Sequence, residues 1–252
     1  MISDGFFDAR VAASYDRLHG QDAPGALSEL VDQLEALATD RTALEFAIGT
    51  GRVALPLVSR GVEVAGIDYS GSMIKQLRAK DGGKDMAITI GDMASATVNA
   101  QFSLVFLVYN SIDNLTTQAL QSACFRNAAR HLKPGGRFLI ETLVPPLQRL
   151  PFGETKLAFA AEDDHWGIDV FDTVSQQYTS THIRFEQDGE VERLSIPFRY
   201  AWPAELDLMA QMAGLAVEAR WADWSQAPFT NTSTSHISIW HKPEEQEETK
   251  RP

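Results

Sequence analysis

Residues 42–54, Thr-Ala-Leu-Glu-Phe-Ala-Ile-Gly-Thr-Gly-Arg-Val-Ala, limit what this chain can fold into more than any other stretch. An apolar run ends in Glu45-x-Ala47-x-Gly49-x-Gly51, and an amphipathic segment follows at once. The pattern predicts a buried strand, a tight glycine turn and a helix. Glycine tolerates positive φ and carries no Cβ, so such a turn lets the backbone approach a nucleotide-like ligand closely. Seventeen positions after Gly51, a second strand, Val62-Glu63-Val64-Ala65-Gly66-Ile67, ends in Asp68. A carboxylate there can accept hydrogen bonds from both hydroxyls of a ribose.

Gly49, Gly51 and Ala54 also satisfy the G-x-G-x-x-G/A dinucleotide pattern, which keeps a nicotinamide-dependent oxidoreductase open as an alternative. A pyrophosphate, however, wants the start of the following helix. Glu45 just before the turn is electrostatically wrong for an anion and right for a cation. Further strands are expected at Ala87–Ile90, ending in Gly91-Asp92-Met93, and at Phe102–Val108, whose unbroken apolar character suits burial on both faces. A helix is expected over about 117–132, with Leu120, Cys124, Ala128 and Leu132 on one face. Lys133-Pro134-Gly135-Gly136 reads as its stop, and Arg137-Phe138-Leu139-Ile140 as the start of the next strand.

In this order and spacing, the pieces resemble class I S-adenosylmethionine-dependent methyltransferases, over about residues 10–145 and more loosely over the last forty. The carriers are Glu45-x-Ala47-x-Gly49-x-Gly51, Gly66-Ile67-Asp68 with Met73 after it, Gly91-Asp92-Met93, and Leu132-Lys133-Pro134-Gly135-Gly136. The early Tyr15-Asp16-Arg17-Leu18 is similar to a segment of the branch that acts on small molecules, amino-sugar N-methyltransferases among them. The resemblance implies a doubly wound, mostly parallel seven-stranded α/β sheet and S-adenosyl-L-methionine as cofactor. It implies that Glu45, Gly49 and Gly51 hold the methionine half and that Asp68 binds the ribose. Asp92 would accept from the adenine amine, with Met93 against the ring. The Leu107 carbonyl would face the methionine amino group, and Tyr15 would close over its carboxylate. Ala47, Tyr69, Met73 and Gly91 complete the expected cofactor set. Two departures stand out: Ser103 where many relatives have Asp, and Asn114 where some have His, which leaves no histidine base after the fourth strand.

At 252 residues the expected organisation is an N-terminal helical cap (1–40), a cofactor-binding core (41–144), an antiparallel β insertion (145–200), the rest of the core (201–242) and a disordered charged tail (243–252). One cysteine rules out an internal disulfide and a three-cysteine iron–sulfur cluster; Cys124 is expected in the core. The chain shows no leader pattern and no apolar run of membrane-spanning length, which makes the cytoplasm the default. A net charge of −12, from 22 basic and 34 acidic residues without a basic block, disfavours nucleic-acid and anionic-membrane partners.

After Val144-Pro145-Pro146 the helix–strand alternation gives way to three or so strand-like pieces, at 168–174, 178–185 and 190–196, with Asp188-Gly189 as a hairpin signal. A helix is expected from Pro203, then two closing strands at 216–221 and 236–240. The insertion leaves from the ligand-binding end of strand five, so it is placed to roof the transferred methyl and select the acceptor; its exposed edge could also pair with a second copy. An alcohol acceptor wants a general base. The candidates are Glu141 at the end of strand five, His165 in Asp163-Asp164-His165-Trp166, and His236, each with a structural reading beside it. The 163–166 run is poor ground for a metal site, and none is expected. Tyr109 and Asn110, directly after strand four, and the late aromatic Trp202 are expected to face the acceptor. The expected function is methyl transfer to an oxygen or nitrogen of a small molecule; a non-catalytic cofactor-binding protein of the same fold is the remaining alternative.

Overall fold

The structure, a computed structural model, describes residues 4–19, 25–186 and 189–244. Two helices, α1 (Ala9–His19) and α2 (Ala26–Leu37), precede β1 (Thr42–Phe46), α3 (Ala54–Ser59), β2 (Glu63–Asp68), α4 (Gly71–Arg78), β3 (Ala87–Ile90) and β4 (Phe102–Leu107). Then come α5 (Gln118–His131) and β5 (Leu132–Leu143). β1 to β5 are parallel; β10 (Ala216–Trp221) and β11 (Ser235–His241) close the sheet, with β11 antiparallel to β5. The order is β3-β2-β1-β4-β5-β11-β10. The chain reverses direction across the sheet between β1 and β4, and beyond the carboxyl ends of those strands lies the crevice where α/β sheets bind ligands.

β4 shows why its sequence is apolar throughout. Val105 and Leu107 pack with Phe46, Phe125, Phe138 and Trp240 on the α5 side; Leu104 and Phe106 pack with Leu30, Leu34 and Leu139 on the α2 side. Local signals set the helix starts: the Ser70 hydroxyl accepts from Met73 N–H (3.1 Å) and the Thr117 hydroxyl from Leu120 N–H (3.2 Å). Cys124, Ala128 and Leu132 are buried as expected, whereas Leu120 is 37% exposed. It sits in the first turn of α5, and the inward position there belongs to Gln121. Lys133-Pro134-Gly135-Gly136 does not separate helix from strand. β5 begins at Leu132, directly after α5, and Gly135, at φ 74°, donates its N–H to Lys242 O (2.9 Å).

The insertion is a separate four-stranded antiparallel sheet, β6 (Lys156–Ala161), β7 (His165–Asp172), β8 (Gln177–Phe185) and β9 (Val191–Arg199), one strand more than three. β6 escapes a pattern reading because Leu-Ala-Phe-Ala-Ala carries no polar alternation and a register shift interrupts it. β8 and β9 form a hairpin with Phe185 opposite Val191; Asp188 of the expected turn lies outside the described residues, as do 245–252 of the charged tail. α6 (Pro203–Met212) returns the chain to the core sheet. Among the described residues no helix is long and apolar enough to cross a membrane.

Candidate active site

The turn after β1 places three consecutive odd positions in the left-handed region: Ala47 (φ 53°), Gly49 (φ 57°) and Gly51 (φ 78°). The bend is fixed by Gly51 N–H on Ile48 O (3.0 Å) and by Asp68, whose Oδ2 accepts from Gly49 N–H (2.7 Å) while Oδ1 accepts from Ser70 N–H (2.8 Å). Tyr69 N–H donates to the carboxylate as well, so three of its roughly four acceptor positions are taken by backbone and about one is left for a ligand. Burial raises its carboxyl above the usual range, and the backbone donors work against that.

Glu45 is buried below the turn. Ala54 N–H donates to its carboxylate, yet Oε2 has no hydrogen-bond partner. Burial and the neighbouring Asp68 push its carboxyl well above the ordinary value; Arg52 opposes them. A buried acceptor without a donor is costly, so this cradle fits a group that brings a cation, such as the ammonium of a methionine moiety. Gly49 answers the same test: a Cβ there would come within 3.3 Å of Met73 Cε.

α1 lies against this turn. Asp16 accepts from the Thr50 hydroxyl (2.5 Å) and pairs with Lys80 (2.6 Å), whose ammonium also donates to Thr50 O (2.8 Å). Tyr15 is close enough to Arg52, Asp68 and Glu45 to feel their charges, and its hydroxyl is shifted upward chiefly by burial. At the end of β3, Gly91 N–H donates to Asp68 O (2.8 Å), Asp92 Oδ1 accepts from Ala94 N–H (2.7 Å), and Met93 is buried. Tyr69 is 48% exposed on the rim, and Leu107 is fully buried at the end of β4.

The loop after β4 is strained: Tyr109 and Asn110 both have positive φ, 55° and 57°. β5 holds it there. Glu141 Oε2 accepts from Tyr109 N–H (3.1 Å), Asn110 N–H donates to Glu141 O (3.3 Å), and Asn110 Oδ1 accepts from Leu143 N–H (2.7 Å). The other Glu141 oxygen takes the Trp224 indole N–H (2.9 Å). The Arg52 guanidinium stacks 3.5 Å from the centroid of the Tyr109 ring, joining the loop to the glycine turn.

The three candidate bases are not brought together. Glu141 projects to the Trp224 side of the sheet. His236 belongs to the opposite face, fully buried, its Nδ1 2.8 Å from Ser238 Oγ and its pKa held near 4 by burial and Arg220. His165 lies on the insertion, stacked on His182 at a ring distance of 5.2 Å. Trp202 is half-exposed at the start of α6, edge-on to the buried Tyr200 (6.3 Å).

Three features escape the sequence reading. Arg52 follows Gly51 directly, and a cation inside a turn beside a buried acid is a signal that could have found it. Asp113, one place before Asn114, is 2% exposed, receives the Tyr178 hydroxyl on Oδ2 (3.1 Å) and is pushed by burial up to about 8. The third is the joint beside it: buried Arg199 donates to Gln121 Oε1 and to Glu205 Oε1 (2.7 Å), while Gln121 Nε2 donates back to Arg199 O (2.8 Å). These contacts seat the base of the insertion on the core. Its tip reaches α1 through an ion pair between Glu192 and Arg10. The sheet therefore spans from the loop after β4 to the helix that covers the glycine turn.

Residues 43–136 match the sequence model of the methyltransferase domain. Cypemycin N-terminal methyltransferase from a Streptomyces species is 26% identical over 251 residues, covering 95% of this chain and 98% of that protein. The CcbJ methyltransferase from Streptomyces caelestis superposes with a TM-score of 0.84 at 33% identity, over 96% of this chain and 99% of that one. CalS10, an S-adenosylmethionine-bound amino pentose methyltransferase from Micromonospora echinaspora, shares the fold at a TM-score of 0.69 and 17% identity, over 92% and 96%. With one-third identity across nearly the whole of both chains, and a cradle whose unanswered acid suits the cofactor's cation, this chain belongs to the S-adenosylmethionine-dependent methyltransferases.

Proposed function

We propose that this enzyme methylates a nitrogen or oxygen of a small-molecule acceptor, with nitrogen favoured, and that the insertion forms the roof of the acceptor site. The observation that carries the cofactor half is Glu45 Oε2, buried and without a donor in a turn of left-handed residues. In this reading Glu45 and the Leu107 carbonyl receive the methionine ammonium. Arg52 and Tyr15 answer its carboxylate. Asp68 accepts from the ribose hydroxyls, and Asp92 with Met93 takes the adenine. Ala47, Gly49, Gly51, Tyr69, Met73 and Gly91 shape the walls. When bound, S-adenosylmethionine supplies a methyl carbon activated by a positively charged sulfur.

The chain's own work is to align the acceptor in line with that carbon and exclude water. The strained Tyr109-Asn110 loop is suited to the first task because β5 fixes its position before any ligand arrives. Glu141 acts by holding that loop, since its oxygens already take the Tyr109 and Trp224 donors. An amine can lose its proton to solvent, so no side-chain base is required, in keeping with the separation of Glu141, His165 and His236. Nitrogen is favoured because the relatives' names refer to a cypemycin N-terminus and an amino pentose. We assign the enzyme to the cytoplasm, where a lone buried thiol at Cys124 is at home; an exposed edge strand of the insertion offers a route to a homodimer.

Calorimetry with S-adenosylhomocysteine and with NAD tests the cofactor half; binding of NAD alone would refute it. Asp68→Ala should weaken S-adenosylhomocysteine binding roughly ten-fold or more, because hydrogen bonds to a charged acceptor are each worth about 1.5–3 kcal/mol. Unchanged affinity would remove Asp68 from the site. For the roof, residues 156–197 are replaced by a short Gly/Ser linker. Arg199 and Tyr200 are retained because both are buried in the joint with the core. The shortened enzyme should keep cofactor affinity within a few-fold and lose methyl transfer, read as a mass gain of one CH2 on the acceptor. Retained transfer at a similar rate would move the acceptor site elsewhere.

A further inference from the structure

Two buried carboxylate oxygens among the described residues have no hydrogen-bond partner, and they lie on different parts of the molecule. One is Glu45 Oε2 in the glycine turn. The other is Asp169 Oδ1, on β7 of the insertion.

The register of the insertion shows which way Asp169 faces. Along β7, Trp166, Ile168 and Val170 are exposed, while His165, Gly167, Asp169 and Phe171 share the covered face. Opposite Asp169, itself only part-buried, is the buried Ser180 of β8, which hydrogen-bonds the Asp169 carboxyl, and two residues before Ser180 is Tyr178, the donor to Asp113. The same face of β9 carries Glu192, which pairs with Arg10 of α1. Asp169 thus sits midway along the surface that runs from the loop after β4 to α1. Burial shifts its carboxyl upward, Ser180 opposes that shift, and no cationic side chain of the described residues contributes.

A carboxylate oxygen held out of water with neither a donor nor a cation is unfavourable, even where the other oxygen has a partner, and replacing the acid with an apolar residue would relieve the chain. An ammonium supplied by a ligand relieves it equally well. A neutral hydroxyl gives much less, because a hydrogen bond between two charged partners is roughly twice as strong as a neutral one. We propose that Asp169 anchors the acceptor: its carboxylate receives the ammonium of a small-molecule amine, which gives up one proton to solvent before the freed lone pair takes the methyl, and the charge of the anchor sets the preference for nitrogen over oxygen. The proposal rests on the roof reading above and adds the residue and the charge that the acceptor must carry.

The test uses the full chain, labelled with 13C at the aspartate side-chain carboxyls and loaded with S-adenosylhomocysteine. Asp169→Asn, a near-isosteric change, assigns the Asp169 resonance by its disappearance. Butylammonium chloride should move that resonance saturably, whereas 1-butanol or sodium chloride at the same concentration should leave it in place. Equal shifts from butylammonium and butanol, or none from either, would overturn the proposal. In the transfer assay, Asp169→Asn should raise KM for an amine acceptor by roughly 30-fold or more. It should leave kcat and S-adenosylhomocysteine affinity within a few-fold, and Asp169→Glu should recover part of the loss. A KM that does not move, or an acceptor methylated on oxygen, would also overturn it. Failure of the wild-type chain to bind S-adenosylhomocysteine would refute the proposed function itself, a result read before any amine is added.

Discussion

Gly51→Val should lower S-adenosylhomocysteine affinity by roughly 100-fold or more and destabilise the fold, more than any other single change at the turn. Gly51 has φ 78°, where a β-branched residue is a severe outlier. A Cβ built there would lie 3.0 Å from Leu77 Cγ and Cδ1 and 3.2 Å from Leu55 Cγ. Leu77 is fully buried, so it has little room to yield. Strain of about 1–3 kcal/mol in the backbone and a similar amount from overpacking act together. The cofactor is lost indirectly: once α3 and α4 are pushed apart, Gly49 N–H and Asp68 no longer hold the bend. Calorimetry and thermal melting should therefore move together. Gly51→Ala should show both effects in smaller measure. A valine variant that melts and binds like wild type would mean that the turn is not under the constraint its dihedral angles describe.

The second large effect is on pH-dependent stability and belongs to Asp113. Its carboxyl titrates near 8 in the folded chain against an ordinary value of 3.8. The folded state therefore holds a proton that the unfolded state has lost, and stability must fall as pH rises between about 4 and 8. The full difference is on the order of 5 kcal/mol, since each pKa unit corresponds to about 1.4 kcal/mol and the group is buried away from solvent screening. Asp113→Asn keeps an oxygen to accept the Tyr178 hydroxyl and cannot ionise. Urea unfolding should find the variant close to wild type at pH 4 and clearly more stable at pH 8. Parallel pH profiles for the two proteins would show that Asp113 is not the group responsible.

Much of the glycine turn and of the strand ends around it was legible in the sequence because its signals are local. A glycine turn, an acid closing β2 and a Gly-Asp pair after β3 each occupy a few consecutive residues, and strand polarity does the rest. The insertion and its joint with the core were not legible in the same way. Asp113 looks like any polar residue of a loop; only the arrival of Tyr178 from 65 residues later makes it a buried acid. Asp169 lies in an ordinary alternating strand and becomes notable through a register set by hairpins. Lys133-Pro134-Gly135-Gly136 has the composition of a break, yet the sheet absorbs it by pairing Gly135 with Lys242. His165 and His236 drew attention by residue type, whereas packing decides what a histidine can reach.

Arg10 and Asp16 give α1 two attachments, one to the tip of the insertion and one to the glycine turn. If the insertion roofs the acceptor as proposed, one helix takes part in both halves of the crevice, and whatever orders it for one ligand has already lost that entropy for the other. Arg10 is 63% exposed in its ion pair, and an exposed pair is worth at most about 1 kcal/mol. In the proposed arrangement the cooperativity is a few-fold, and by linkage it runs both ways: a seated acceptor raises the affinity for the cofactor by the same factor as that cofactor raises the affinity for the acceptor.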